Sequence, residues 1–186
     1  MCHCWSLKEV IPSENTITLR PKRLSDAATD YSWRRDVELA HLDAAQPLNI
    51  SFTDYLSYYK TELALPLRNH VEFAIETPDG KHIGNCSIYD IDEIKKEAEL
   101  GIMIGDRDYW NKGYGSDAVK ALLNYAFESR GIKRVYLKTL MENTRAQRCF
   151  LKCGFVPCGY AQRNNYKFVL MDIKREDWKK MAIHGR

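Results

Sequence analysis

Apolar and polar positions along the chain switch between two periods, and the switches mark out its elements. Val71-Glu72-Phe73-Ala74-Ile75 alternates with the two-residue period of a half-buried strand. Thr77-Pro78-Asp79-Gly80 follows with turn residues, so 81–89, carrying Ile83 and Ile88, reads as its hairpin partner. Upstream, 16–20 predicts a strand halted by Pro21, and Ser25-Asp26 offers a helix cap for 27–35. From 36 to 67 the periodicity is loose, and Leu39, Leu42, Leu56, Tyr59 and Leu63 predict helix only in parts. The stretch 98–104 is a third strand, apolar apart from Glu99. Between 115 and 130, Val119, Leu122, Leu123, Ala126 and Phe127 recur at helical spacing as one stripe, which Gly131 ends. A strand at 134–140, a short helix at 144–152 closed by Gly154, and an antiparallel pair at 155–160 and 166–173 follow.

Strands and helices therefore alternate in the middle while hairpins occupy both sides. The fold class is mixed α/β around a single sheet. With 186 residues the chain has the length of one domain, so 1–186 reads as a single unit with 1–14 a flexible N-terminal segment. A net charge of +3 is too mild to argue for nucleic acid. No apolar run approaches the roughly 18 residues of a membrane span. The N-terminus lacks the basic start and long apolar stretch of a signal peptide, which reads as cytoplasmic, with the six cysteines reduced. Cys2-His3-Cys4 would grip a soft metal only with ligands from a partner chain, and a frayed terminus is the plainer reading. Cys149 and Cys153 lie four apart on a helix, where burial accounts for them. No metal is assigned.

The chemistry concentrates in the run from Glu99 to Ala118, where a buried strand enters a loop and the loop enters the amphipathic helix. The helix mouth is Lys112-Gly113-Tyr114-Gly115-Ser116. Two residues without Cβ let a ligand approach the backbone closely. First-turn amides lack intrahelical acceptors, and the dipole favours an anion there. Together these features make a phosphate cradle, to which Lys112 adds a cation. A bare glycine-rich turn would look alike in isolation. A P-loop is excluded, because no Gly-Lys-Ser/Thr follows at the required spacing. A dinucleotide fingerprint is excluded too, because Ala118 stands where the third glycine belongs.

At these residues the chain resembles the GNAT superfamily of acyl-CoA N-acyltransferases. The family's Gln/Arg-x-x-Gly-x-Gly/Ala motif stands here as Trp110-Asn111-Lys112-Gly113-Tyr114-Gly115, with Trp110 departing at the first position. That tryptophan is similar to the branch containing the ribosomal-protein N-terminal acetyltransferases. A second motif, Asn-x-x-Ala/Ser-x-x-x-Tyr-x-x-x-Gly-Phe, is matched by Asn143, Ala146, Phe150, Gly154 and Phe155. The resemblance spans about 16 to 173.

The resemblance implies a largely antiparallel sheet splayed at a bulge and flanked by helices, with acetyl-CoA as acyl donor and an amine as acceptor. The pantetheine arm would pair with Ile102, Met103 and Ile104, and the Ile102 N–H would hold the oxyanion. The pyrophosphate would lie on backbone amides of Asn111, Lys112, Gly113, Tyr114, Gly115 and Ser116, with the Lys112 side chain near the phosphates and Trp110 also at the cofactor. Asn143 would reach the pantetheine while Ala146 and Phe150 flank the thioester end, with core packing as the alternative for Ala146 and Phe150. An ammonium cannot attack a thioester, so a base is needed, and Glu99 is the candidate, acting through water. Strand alternation sets Glu97, Glu99, Gly101 and Met103 on one face, although a solvated Glu99 would read the same way. Phe150 stands where many members carry a tyrosine acid and has no hydroxyl. Cys149 points about 100° away from it on a helix.

The first helices and the last hairpin would line the acceptor site. The candidates there are Tyr31, Trp33, Arg34 and Tyr166, with Arg35, Asp36, His41, Asp43, Tyr160, Arg163, Asn164 and Asn165 close by in sequence. Tyr31 and Trp33 read equally as core cover. A small polar amine, such as an amino sugar or a polyamine, fits this set, and a peptide N-terminus fits it equally well. A catalytically silent acyl-CoA-binding module is the alternative, and homodimer formation is left open.

Overall fold

The computed structural model describes residues 11–12 and 17–184. Six helices decorate eight strands among these residues. In chain order they are β1 (Ile11–Pro12), β2 (Thr18–Pro21), α1 (Ala27–Arg35), α2 (Val37–Leu42), α3 (Phe52–Ala64), β3 (Val71–Glu76), β4 (His82–Asp92) and β5 (Glu97–Ile104). There follow α4 (Tyr114–Asn124), β6 (Arg134–Leu140), α5 (Thr144–Lys152), β7 (Val156–Arg163), β8 (Tyr166–Lys174) and α6 (Arg175–His184). The sheet order is β1-β2-β3-β4-β5-β6-β8-β7. Every neighbouring pair is antiparallel except β5 and β6.

That one parallel pair shapes the molecule. It holds only at Glu97–Arg134, Ala98–Val135 and Glu99–Tyr136, and beyond Glu99 the two strands part. On the other side of β5 the antiparallel ladder with β4 runs on to Ile104 opposite Gly84. Beside it, β4 carries a bulge between Tyr89 and Asp92, where Asp90 takes a φ of +50°. A bulge sharpens local twist, and this one sits opposite the point where β5 leaves β6.

One core cluster joins the sheet to α4 and α5. Ala118, Val119, Leu122 and Leu123 are fully buried against strand residues including Leu19, Phe73, Ile75, Ile88 and Leu100. Residues 125–129 form a π-turn instead of continuing the α-helix to 130, with Arg130 N donating to Tyr125 O. The wider turn lets Phe127 meet Trp178 of α6 while Tyr125 stays edge-on to Phe73. The opposite face of the sheet carries a buried polar layer under α1. Arg20 forks onto Asp26 at 2.8 and 2.9 Å and also binds Glu76, while Lys22 binds Asp30 and Asn85.

Several boundaries move from the sequence reading. Ile11 and Pro12 pair with Leu19 and Thr18, so strand structure reaches into the segment 1–14 read as flexible, and Cys2-His3-Cys4 lies outside the described residues. The loose region 36–67 resolves into two capped helices: Asp36 accepts from Leu39 N, and Ser51 accepts from Asp54 N. The last hairpin reaches Arg163 and Tyr166, turning through Asn164 at a φ of +53°. A final helix, α6, extends past 173, the last strand position in the sequence reading.

Candidate active site

A cleft of about 330 Å³ opens where β5 leaves β6. Its walls are the end of β5 (Ile102, Met103, Ile104), the loop and first turn of α4 (Trp110, Asn111, Gly113, Gly115, Ser116) and one side of α5. The C-terminal half of α2 closes it with Leu39, Leu42 and Asp43. The sequence motifs thus converge from three separate elements on one cavity.

The floor is built by backbone. Gly105 N donates to Ile83 O at 3.0 Å, which fixes the alternation of the β4–β5 ladder. By that alternation the N–H and C=O groups of Ile102 and Ile104 point away from β4, into the gap that β6 has vacated. An extended ligand laid there would meet the polar edge of a strand. The indole Nε1 of Trp110 takes the last of these groups, donating to Ile104 O at 2.6 Å. Arg145 stacks on the same indole with its guanidinium carbon 3.3 Å from a ring centroid.

The cradle lies at the head of α4. Asn111 has a φ of +60° and Gly113, the N-cap, has a φ of +93°. This left-handed pair turns the chain sharply enough to present the amides of 114–116 to the cleft. The first intrahelical bond, Asp117 N to Gly113 O at 3.1 Å, leaves those three amides without helical acceptors. A Cβ on Gly113 would meet nothing within 4 Å, so its glycine serves the backbone angle. A Cβ on Gly115 would stand 3.7 Å from both Cys149 Sγ and Ile104 Cγ1, filling the passage between α4, α5 and β5. Charge around the cleft is lopsided. Arg145, Arg148 and Lys152 line it at helical spacing on α5, against one carboxylate, Asp43. An anionic ligand with phosphates fits this lining.

Asp43 is exposed at the cleft wall yet crowded by protein, and that desolvation pushes its carboxyl above the usual range, with Arg34 offsetting part of the effect. Asn143 lines the cleft while its side-chain oxygen caps α5, accepting from Ala146 N at 3.1 Å. Cys149 lies in the same wall with Sγ 3.4 Å from Ser116 Oγ.

Other sequence candidates fall away from the cleft lining. Glu99 is on the expected face but only 5% exposed, accepting from Tyr89 Oη at 2.6 Å and paired with Lys138 Nζ at 2.9 Å. Phe150 points into the core against Phe155, at a centroid distance of 5.7 Å. Lys112 is exposed beyond the rim, and Tyr114 turns edge-on to Tyr109. Trp33 is buried against Gly105 and edge-on to His82, so it is packing on the far side of β4–β5. Tyr31 binds Ile50 O and stacks with Phe52, Tyr55 and the Arg35 guanidinium, and Arg34 reaches the cleft only through its field on Asp43. Tyr166 packs against His41, which pairs with Glu142. Sequence reading missed Leu39, Leu42, Tyr109, Arg145, Arg148 and Lys152 as cleft residues. The α5 trio was detectable, because 145, 148 and 152 share a helix face with Cys149.

Among the described residues, no group of three or more His, Cys, Asp or Glu side chains is placed to hold a metal ion. No helix there is long and apolar enough to cross a membrane.

Comparison with known proteins adds an independent line. Residues 16–156 match the family model described as the acetyltransferase (GNAT) domain. An uncharacterized N-acetyltransferase, p20 of Bacillus licheniformis, is 30% identical over 130 residues, 69% of this chain and 72% of that protein. The spermidine N-acetyltransferase of Vibrio cholerae, solved in complex with CoA and spermine, superposes with a TM-score of 0.78 at 21% identity. That match covers 88% of this chain and 98% of the other. Mycobacterium smegmatis RimJ, in complex with CoA-disulfide, superposes at 0.75 with 19% identity over 96% of each chain.

Proposed function

Because this chain belongs to the acetyltransferase (GNAT) family, we propose that it transfers an acetyl group from acetyl-CoA to a primary amine bound beside Asp43. The observation that carries this reading is the gap between β5 and β6 opening directly onto the cradle of α4. Bound in that gap, acetyl-CoA supplies the activated acyl thioester. The ligands of the solved relatives agree with this class: CoA and spermine in the Vibrio cholerae enzyme and CoA-disulfide in Mycobacterium smegmatis RimJ.

The chain's own residues divide the work. The amides of 114–116 and the cations Arg148 and Lys152 hold the diphosphate, whose charge the dipole of α4 also favours. The backbone groups of Ile102 and the N–H of Ile104 align the amide-rich arm, and the Ile102 N–H is aimed where carbonyl charge would develop. One such donor contributes about 3–4 kcal/mol at a transition state. Leu39 and Leu42 exclude water from the acceptor side. Asp43 draws in the ammonium and takes its proton, a task suited to a carboxylate whose affinity for protons desolvation has raised.

Glu99 acts one step removed. Its carboxylate anchors Tyr89 and Lys138 beside the opening of the strands, and so positions the floor instead of accepting the substrate proton. Phe150 offers no proton to the departing thiolate, and a thiol with a pKa of about 8.5 needs little help in leaving. The acceptor wall holds one carboxylate and two leucines, which suits an amine with an apolar stem, such as a peptide N-terminus, better than a long polycation. The test is release of free CoA thiol across panels of peptides, monoamines, amino sugars and polyamines. Turnover that favours apolar-stemmed amines supports the reading. Tight acetyl-CoA binding without turnover on any panel would instead mark a silent binding module.

A further inference from the structure

The cleft contains a nucleophile that acetyl transfer does not use. Cys149 Sγ lies 3.4 Å from Ser116 Oγ, and the fully buried Cys153, one turn further along α5, donates its thiol to Ser116 O at 3.5 Å, so both sulfurs meet the same residue. Two thiols and a hydroxyl thus cluster on the first turn of α4, next to the amides of the cradle. Cys149 is half-buried and lines the cleft, so the cleft is its route to solvent. Lys152, Arg148 and Arg145 surround that route with positive charge. Polar contact with Cys153 and Ser116, aided by Lys152, holds the Cys149 thiol below its ordinary range against the opposing effect of burial, while the same contact and burial push Cys153 up. The thiol that faces the cleft is thus the one whose ionisation is favoured, and the buried one holds its proton, the division of labour of a reactive and a resolving cysteine.

We propose that Cys149 and Cys153 form a hydroperoxide-sensitive dithiol that closes the cofactor cleft when oxidised and is masked when acetyl-CoA is bound. The Cys149 thiolate attacks a peroxide oxygen, the O–O bond breaks, and the leaving oxyanion takes a proton from water. Cys149 is now a sulfenic acid. The Cys153 sulfur attacks it, an S–S bond forms, and hydroxide departs with the Cys153 proton as water. Two electrons have passed from the dithiol to the hydroperoxide.

The consequence for the cleft is geometric. Residues four apart on a helix have Cβ atoms about 5–6 Å apart, longer than the roughly 4 Å across a disulfide. Closing the bond therefore tightens the last turn of α5, where Cys153 N already bonds the carbonyls of Cys149 and Phe150. That movement draws Cys149 off Ser116, frees Ser116 O from Cys153 and displaces Lys152. The cradle loses its shape and a cation together. The masking and the loss of acetyl-CoA affinity rest on the cofactor reading given above; the disulfide itself does not.

The test treats the reduced full-length protein with hydrogen peroxide, with and without acetyl-CoA, and locates oxidation by peptide mass spectrometry. Exposed Cys158 serves as the internal reference. The expected result is a Cys149–Cys153 disulfide forming at least tenfold faster than any change at Cys158, slowed at least tenfold by saturating acetyl-CoA. Calorimetry should show at least a tenfold weaker affinity of the oxidised protein for acetyl-CoA, restored by dithiothreitol. In Cys153→Ser, oxidation should stop at a Cys149 sulfenic acid that dimedone traps, and Cys149→Ser should not react. The proposal is overturned if Cys149 reacts no faster than Cys158, if the oxidised protein keeps its affinity, or if acetyl-CoA shown to bind gives no protection. Failure of acetyl-CoA to bind the reduced protein would overturn the cofactor reading and the masking with it, while the disulfide is scored independently by mass.

Discussion

Trp110 Nε1 donates to Ile104 O at 2.6 Å, tying the first residue of the glycine motif to the last residue of the splayed strand. With the Arg145 guanidinium 3.3 Å from its ring, this indole links β5, the cradle loop and α5. Trp110→Phe keeps a ring for Arg145 and removes only the donor. It should lower acetyl-CoA affinity about fivefold, in line with the roughly 1 kcal/mol of a lost hydrogen bond. Calorimetry checks this, and unchanged affinity would show that the indole does not set the strand end.

Two substitutions at Gly113 separate backbone strain from charge. Gly113→Ala meets open space but must adopt a φ of +93°, a cost of about 1–2 kcal/mol. Gly113→Asp carries the same strain and adds an anion to the cradle. Acetyl-CoA affinity should fall modestly for the first variant and at least tenfold further for the second. Equal losses would mean that no phosphate sits there.

Asp43→Asn should reduce kcat/KM about a hundredfold or more, the usual scale of a lost general base, and flatten the acid limb of the pH–rate profile. The same residue gives a stability signature with a definite sign. Its folded-state pKa is raised, so the ionised form costs the native state, and that cost appears as pH rises through the shifted value. The variant should therefore melt slightly higher than wild type at neutral pH, with the difference vanishing below the usual carboxylate range. A wild-type pH–rate profile in the variant would remove Asp43 from proton transfer.

Acid stability should be governed from the opposite face of the sheet. Burial alone would raise the Asp26 carboxyl, but hydrogen bonds from Arg20 and the Arg23 amide hold it below its ordinary value. Its contribution is thus present above the unfolded-state pKa and lost as pH falls through the lowered one. Arg20→Met leaves Asp26 buried without its main partner, a loss of about 3–5 kcal/mol. Denaturant titrations at neutral and acid pH should show that loss at neutral pH and less of it once Asp26 is protonated.

Gly105→Ala tests the placement of Trp33. The added Cβ would lie 2.1 Å from the Trp33 ring, so the indole or the strand end must shift. Thermal stability should drop by about 1–3 kcal/mol, as for other overpacked sites. A Trp33→Phe background should recover part of it. Additive losses in the double variant would place the strain elsewhere.

The sequence by itself determined what local chemistry can enforce. Alternation in 71–75 produced β3, the apolar stripe from Val119 to Leu123 produced the buried face of α4, and Gly113 marked the left-handed turn that opens that helix, because periodicity and left-handed backbone are properties of short segments. The pairing of two motifs also marked the family, to which residues 16–156 are matched. Tertiary structure decided which side chains share a cavity. Glu99 had the right residue type and the right face, yet Tyr89 and Lys138 occupy its carboxylate. Asp43, one acid among several in a region of loose periodicity, became the carboxylate of the cleft when α2 folded over the opening between β5 and β6. Likewise Trp33 was claimed by Gly105 and His82, and Cys149 was brought to Ser116 from 33 residues away. Strand partners and helix docking set these neighbours through long-range packing, to which a local pattern of apolar and polar residues is blind.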